Sequence, residues 1–258
     1  MTYVKPKKAL GQHFLTDQRV AERIAATLDG QGDTPVLEIG PGTGALTQHL
    51  MRPGRDLTAI EIDSESIEWL RQRWPELRLV EGDFLQMDVA ALMGNKPFCL
   101  IGNYPYNISS QIFFKALEYK DLIPCISGML QREVAERIAA PEGGKERGIL
   151  SVLLQAWYDA EYLFTVSEHV FNPPPKVKSG VIRLTRNSRQ SLPCDERLFR
   201  IVVKATFGMR RKTLRNSTRS LLPPGAAIDS PLMAMRPEQL SVEQFFELTN
   251  LIANSQRQ

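Results

Sequence analysis

The chain has 258 residues, 43% of them hydrophobic and 24% charged, with a formal net charge of +3. That composition excludes a disordered chain and allows one large globular domain, or one large and one small. Cys99, Cys125 and Cys194 are odd in number and widely spaced, which excludes a disulfide framework or a cysteine zinc site and suits a reduced cytoplasm.

The N-terminus is basic at Lys5, Lys7 and Lys8 without a following apolar stretch, and no run approaches the length of a membrane span. A soluble, cytoplasmic protein is therefore expected. Strands are predicted over 35–39, 57–62, 77–80 and 98–101, short apolar runs that end in glycine or acidic residues. Helices are predicted between them over 64–73 and 109–118, with Ser64 and Ser109 as N-caps. Repeated βαβ units of this kind give a parallel sheet covered on both faces, with ligand groups at the carboxyl ends of the strands. Further along, 123–130 reads as a fifth strand, 131–140 and 149–159 as helices, and 162–168 with 180–185 as two late strands. After about Asn187 the strand pattern stops. Segments 197–207, 210–222 and 242–254 read as helices separated by prolines. The expected fold is thus an α/β, Rossmann-like catalytic domain over 1–187, followed by a small helical domain over 188–258.

The first βα turn, Glu38-Ile39-Gly40-Pro41-Gly42-Thr43-Gly44, meets a relaxed dinucleotide pattern, and Glu61 stands where a ribose-binding carboxylate belongs. The glycines alone do not separate a nicotinamide cofactor from S-adenosylmethionine. Pro41 removes an amide that a pyrophosphate would use, and Glu38 sets a carboxylate beside the turn, unfavourable to phosphate but compatible with a cation. A zwitterionic, phosphate-free cofactor fits better. Asp83, after the third strand, is positioned to accept from the cofactor's adenine amine.

Asn103-Tyr104-Pro105-Tyr106 carries the sharper signal. The exocyclic nitrogen of adenine is a weak nucleophile because its lone pair is delocalised into the ring. Two acceptors on its N–H groups hold it aimed at an electrophilic methyl group, and the Asn103 side chain with a backbone carbonyl of Tyr104-Pro105 supplies them. Tyr106 offers a face for stacking. No strong base is required, so catalysis reduces to positioning, desolvation and handling of a cation.

The chain resembles the ribosomal RNA adenine N6,N6-dimethyltransferases, which modify two adjacent adenosines near the 3′ end of small-subunit (16S) ribosomal RNA. The likeness runs over Gly11-Gln12-His13-Phe14-Leu15, the glycine loop, Glu61 with Asp63, Asp83, Asn103–Asn107, Leu130–Val134, Phe171–Val177 and Arg210–Asn216. It implies S-adenosylmethionine as cofactor, with His13 and Leu15 covering its methionine end, Gly40 touching it from the loop, Glu61 on the ribose, Asp83 on the adenine and Asn103 between cofactor and target. Phe171 is implied as a second aromatic surface opposite Tyr106. Two positions depart from the family's usual pattern, His13 where Asn is frequent and Tyr104 where Leu is frequent. The resemblance implies no metal.

Charge is unevenly distributed: residues 176–219 hold thirteen Lys/Arg against two Asp/Glu, a local +11 that leaves −8 for the remainder. Arg211, Arg215 and Arg219 recur at helical spacing with Arg210 and Lys212 beside them, so one helix face is expected to follow RNA phosphates. The expected partner is small-subunit ribosomal RNA in an immature 30S-type subunit, bound by a monomer. Three other readings share features with this one: a single-adenine large-subunit methyltransferase that confers antibiotic resistance, a DNA adenine methyltransferase, and a non-enzymatic ribosome-assembly factor.

Overall fold

The structure is a computed structural model that describes residues 4–257. Its strands are Phe14–Leu15 (β1), Val36–Ile39 (β2), Leu57–Glu61 (β3), Arg78–Glu81 (β4), Cys99–Asn103 (β5), Cys125–Gln131 (β6), Tyr158–Val166 (β7), Phe171–Asn172 (β8) and Ser179–Arg186 (β9). The helices are Gln18–Ala25 (α1), Thr47–Leu50 (α2), Ser64–Arg73 (α3), Val89–Leu92 (α4), Ser109–Glu118 (α5), Arg132–Ala139 (α6), Ile149–Gln155 (α7), Glu196–Gly208 (α8), Leu214–Ser217 (α9) and Val242–Ser255 (α10). Seven strands form one sheet in the order β4-β3-β2-β5-β6-β9-β7, while β1 and β8 pair separately and antiparallel. β2 to β6 are mutually parallel where they pair, and β9 returns antiparallel beside β6.

The continuous apolar character of β2, β3 and β5 follows from burial on both faces; β2 and β3 are buried along their whole length. The register aligns Ile39 with Ile60 and with Gly102, and Glu61 with Glu81. The carboxyl ends of four parallel strands therefore meet at one edge, where open α/β sheets bind ligands.

The bounds of α3 and α5 match the sequence reading, but the caps do not. Asp63 and Ile108 occupy the N-cap positions, and Ser64 and Ser109 are the first helical residues. α1 starts at Asp17, whose carboxylate accepts from the amides of Arg19 and Val20 at 2.9 and 3.2 Å.

The chain divides into two compact units, Met1–Glu136 with Asp159–Arg186, and Arg137–Tyr158 with Asn187–Gln258. The boundary expected at 187/188 is therefore incomplete, because residues 137–158 belong to the C-terminal unit. α7 buries Leu150, Val152, Leu153 and Leu154, more apolar surface than an amphipathic surface helix carries. Buried Arg147 donates to the Ala140 carbonyl at 2.9 Å and to Gln155 Oε1 at 2.7 Å, which fastens the segment before α7 to the helix itself. The Trp157 carbonyl accepts from the Asn187 amide at 3.0 Å, and the Glu238 carbonyl from the Gly143 amide at 2.8 Å.

Within this unit Phe199 packs on Phe246 with ring centroids 5.2 Å apart, and Phe207 on Phe245 at 5.9 Å. α10 begins with a reciprocal cap: the Gln244 amide donates to Ser241 Oγ at 3.1 Å, and the Ser241 amide to Gln244 Oε1 at 2.9 Å. The helix expected over 210–222 is broken. Its only α-helical part is α9, and Arg219–Leu221 forms a separate 3-10 turn. Thr213, Asn216, Ser217 and Thr218 are weak helix formers whose side chains compete for backbone partners. Thr218 Oγ1 donates to the Leu214 carbonyl at 2.8 Å, and Asn216 Nδ2 makes a longer bond to Thr213 Oγ1 at 3.4 Å. Among the described residues, no helix is long and apolar enough to cross a membrane.

Candidate active site

A cleft opens at the carboxyl edge of the sheet. It is lined by the N-terminal segment from Ala9 to Leu15, the glycine loop, Glu61 and Ile62, residues 82–85, and Asn103–Ile108. Each lining stretch after the first follows a parallel strand, so the register of the sheet brings together residues far apart in sequence.

Glu61 closes β3 and is 4% exposed. Its Oε2 accepts from the Gly42 amide at 2.9 Å, and its Oε1 from the amides of Ile62 and Asp63 at 2.9 and 3.0 Å. Burial raises its pKa, and those three backbone donors oppose the rise. An ionised carboxylate accepts about four hydrogen bonds, so one site is left for a ligand hydroxyl. The same side chain that is expected on the ribose also ties the glycine loop to β3. Gly40 has φ +64, and a Cβ built there meets nothing within 4 Å, which leaves the backbone open to the cleft.

Glu38 lies inside β2 at 1% exposure and accepts from Thr47 Oγ1 at 2.8 Å. Burial, reinforced by nearby Glu61 and opposed by the Thr47 bond, pushes its pKa up to about 8. The group expected as a carboxylate beside the turn is therefore largely a neutral acid at neutral pH. Asp83 Oδ1 accepts from the Leu85 amide at 2.9 Å, and no donor among the described residues takes its Oδ2. Ile62, 52% exposed, adds apolar surface to the cleft. The sequence signal for Ile62 was an apolar residue directly after the ribose-type carboxylate.

Asn103 is the last residue of β5, and its Nδ2 donates to the His13 carbonyl at 3.0 Å. That bond turns its Oδ1 away from His13, and no donor among the described residues occupies it. Tyr104 is wholly buried, and its amide donates to the Met129 carbonyl at 2.8 Å. No donor among the described residues reaches the Tyr104 carbonyl. An acceptor left unpaired in this way costs about 1–3 kcal/mol. Pro105 lines the cleft beside it.

The His13 ring stacks on Tyr106 with centroids 5.4 Å apart and planes 29° apart. His13 Nδ1 donates to the Pro173 carbonyl at 2.8 Å, and the Tyr106 hydroxyl bonds Ser179 Oγ at 2.5 Å. Leu15 lines the cleft with its side chain rooted in the core. Phe171 is placed elsewhere. It is 4% exposed, pairs with Leu15 across β1 and β8, and packs in the core with Leu15, Ala21 and Val166 rather than lining the cleft. Phe171, expected as a second aromatic surface opposite Tyr106, is thus not brought to the cleft; the ring beside Tyr106 is that of His13.

The glycine loop and Asn103 do not account for the roof of the cleft. Lys7 Nζ bonds both Asp63 and Glu65, Gln12 Nε2 donates to Asp63 Oδ2 at 3.1 Å, and Gln12 Oε1 accepts from the Lys7 amide at 2.7 Å. Burial alone raises the pKa of Asp63, but hydrogen bonds from Lys7, Gln12 and Ser66 outweigh it and hold the carboxyl below its usual range. This network fastens the N-terminal segment to the end of β3.

Arg210, Arg211, Lys212 and Arg215 belong to the other unit. Arg210 donates to the Lys145 carbonyl, Arg211 and Lys212 are exposed in a turn, and only Arg215 lies on a helix, the short α9.

The family model for ribosomal RNA adenine dimethylase matches residues 4–254. The chain belongs to the ribosomal RNA adenine dimethylase family. It is 63% identical over 254 residues to ribosomal RNA small subunit methyltransferase A of Parabacteroides distasonis, with 96% of this chain and 94% of the relative covered. The protein of that name in Bacteroides thetaiotaomicron is 60% identical, with 98% and 96% covered. Among solved structures, a dimethyladenosine transferase from Plasmodium falciparum superposes with TM-score 0.77 at 24% identity, covering 95% of this chain and 98% of that one, and shares its fold. The 23S rRNA methyltransferase ErmE superposes with TM-score 0.69 at 28% identity, with 92% and 99% covered. This dimethylase uses S-adenosylmethionine. The cleft suits it: a hydroxyl-accepting site on buried Glu61, a free acceptor on Asp83, an open backbone at Gly40 and a buried acid at Glu38 in place of a phosphate cradle.

Proposed function

We propose that this enzyme dimethylates N6 of two adjacent adenosines near the 3′ end of small-subunit ribosomal RNA, acting as a cytoplasmic monomer on an immature 30S-type subunit. The observation that carries the reading is the pair of unoccupied acceptors, Asn103 Oδ1 and the Tyr104 carbonyl, on two successive residues that line the cofactor cleft. An adenine amine has two N–H groups to satisfy them.

S-adenosylmethionine supplies a methyl group on a cationic sulfur. Glu61 and Asp83 hold the cofactor's hydroxyl and amine groups, and the segment pinned by Lys7 and Gln12 keeps water from it. Asn103 and the Tyr104 carbonyl fix the orientation of the target nitrogen, which is where most of the rate advantage of a bound nucleophile arises. Tyr106, backed by His13, stacks on the target base once that base has left its helix. The amine becomes acidic on alkylation and loses its proton to water, directly or through a nearby acceptor. Dimethylation repeats the process with the one remaining N–H.

The small-subunit assignment is favoured over a large-subunit one because relatives 60–63% identical carry the small-subunit name, whereas the large-subunit enzyme ErmE is 28% identical. The test is transfer of labelled methyl to small subunits lacking the modification, with the nucleotides mapped. Wild-type enzyme is expected to dimethylate two adjacent adenosines, and Asn103→Ala to reduce the rate by at least ~100-fold, about 2.7 kcal/mol of transition-state stabilisation. Methylation confined to large-subunit RNA, or an Asn103→Ala enzyme of undiminished rate, contradicts the proposal.

A further inference from the structure

The break in the helix expected over 210–222 separates Arg211 from Arg215 and Arg219. Arg215, Asn216 and Arg219 instead line a groove together with half-buried Leu222 and Ile228, with Met233 buried beneath at 2% exposure. Arg215 and Arg219 are exposed, and neither has an ion-pair partner among the described residues. The cations are thus free, and they stand beside an apolar wall.

We propose that this groove holds one unstacked nucleotide of RNA, its base against the apolar surface of Leu222 and Ile228 and its flanking phosphates on Arg215 and Arg219. The inference deepens the RNA-directed reading above and rests on it. A surface that only tracks a duplex backbone needs cations on a polar face. An apolar wall contributes nothing to a phosphate, but it receives the face of a base that has left its stack. Asp229 also lines the groove. Its carboxylate repels a free phosphate and accepts from a base amine, which makes a nucleotide a better occupant than an inorganic anion. Asn216 offers both a donor and an acceptor to the base edge, and its own bond to Thr213, at 3.4 Å, is long enough to give up.

The test is fluorescence anisotropy of the full chain with two probes, an unstructured oligoadenylate and a blunt RNA duplex with the same number of phosphates. Arg215→Ala and Arg219→Ala are each expected to weaken both probes by ~3–10-fold and to lower the salt slope by about one. Ile228→Ser, which removes part of the wall without changing charge, is expected to weaken oligoadenylate at least ~5-fold and to leave the duplex within about twofold. Ile228→Val is expected to restore binding. Thermal midpoints of every variant separate misfolding from a local effect. Equal losses on both probes with Ile228→Ser, or no loss on either, overturn the base pocket. If Arg215→Ala and Arg219→Ala leave both RNA probes unchanged but impair association with ribosomal subunits, the groove takes a protein segment and the proposal is wrong. Methyl transfer to small subunits, measured in parallel on the wild type, reports on the underlying activity independently: its failure removes that reading, whereas its presence with negative groove results removes only the groove.

Discussion

Tyr104 links the tetrapeptide Asn103–Tyr106 to the middle of the sheet. Its hydroxyl donates to the Ser127 carbonyl at 2.7 Å, and Ser127 Oγ donates in turn to the Ile182 carbonyl at 2.9 Å, so β5, β6 and β9 are bound through one buried chain. The ring has space only because glycines flank it: a Cβ at Gly128 would lie 2.7 Å from the ring and 2.2 Å from the Gly102 carbonyl. Phe113 meets it edge-on at 5.3 Å. Burial pushes the Tyr104 phenol well above its ordinary pKa, so it remains a hydrogen-bond donor wherever the fold survives. A phenol held this firmly fixes the carbonyl of the same residue, which is one of the two acceptors proposed for the target amine. Tyr104→Phe keeps the ring and removes the anchor. It is expected to lower kcat by ~3–10-fold and stability by about 1–2 kcal/mol, while the Kd for S-adenosylmethionine changes by less than about twofold. Steady-state kinetics with calorimetric cofactor titration decides: a normal kcat in a destabilised variant means that Tyr104 only fills space.

At the scale of elements, the N-terminal segment does more than its sequence discloses. Gln12 joins Lys7 to Asp63 and thereby lays residues 9–15 along the cleft. Gln12→Ala is expected to weaken cofactor binding by ~3–10-fold, equivalent to the loss of one or two ordinary hydrogen bonds, with little change in the thermal midpoint of the free protein. Isothermal titration calorimetry checks it, and an unchanged Kd would show that the roof is held without Gln12. The strands and the long helices were readable because apolar periodicity and glycine punctuation are local: Ser64–Arg73 and Ser109–Glu118 have the bounds the sequence predicts. Gly40, Glu61, Asp83 and Asn103 are brought together because each lies at or just after the end of a parallel strand, where the register delivers them to one edge. Phe171 is not, since its aromatic character suits a base and a core equally and its pairing with Leu15 places it in the core. The grouping of 137–158 with the C-terminal unit is not legible, because α7 gives no local sign of the unit it packs with, and neither is the break within 210–222, because arginine spacing suggests a helix while Thr213, Asn216, Ser217 and Thr218 work against one.

For the molecule as a whole, Glu38 makes stability depend on pH in a direction opposite to that of most acids. Buried ion-paired carboxylates such as Asp63 have lowered pKa values and favour the fold above their titration range. Glu38 has no cation beside it among the described residues; it faces the Thr47 hydroxyl, which donates to it, and the carboxylate of Glu61, which disfavours its charge. Its folded pKa rises from 4.5 to about 8. In the unfolded chain Glu38 ionises freely above pH 4.5, whereas in the folded protein it keeps its proton until about pH 8. The stability associated with this group is therefore complete below pH 4.5, declines across the interval and is lost above about pH 8. The full decline is on the order of 5 kcal/mol. Glu38→Gln keeps an acceptor for Thr47 and cannot ionise, so the cofactor-free variant is expected to match the wild type near pH 5 and to exceed its thermal midpoint by ~5–10 °C at pH 8. Calorimetric midpoints of both proteins at half-unit steps of pH measure the difference directly. A difference that grows with pH places the titrating acid in β2, beneath the glycine loop; a difference that stays constant means that Glu38 is ionised in the folded protein, with its charge compensated inside the cleft.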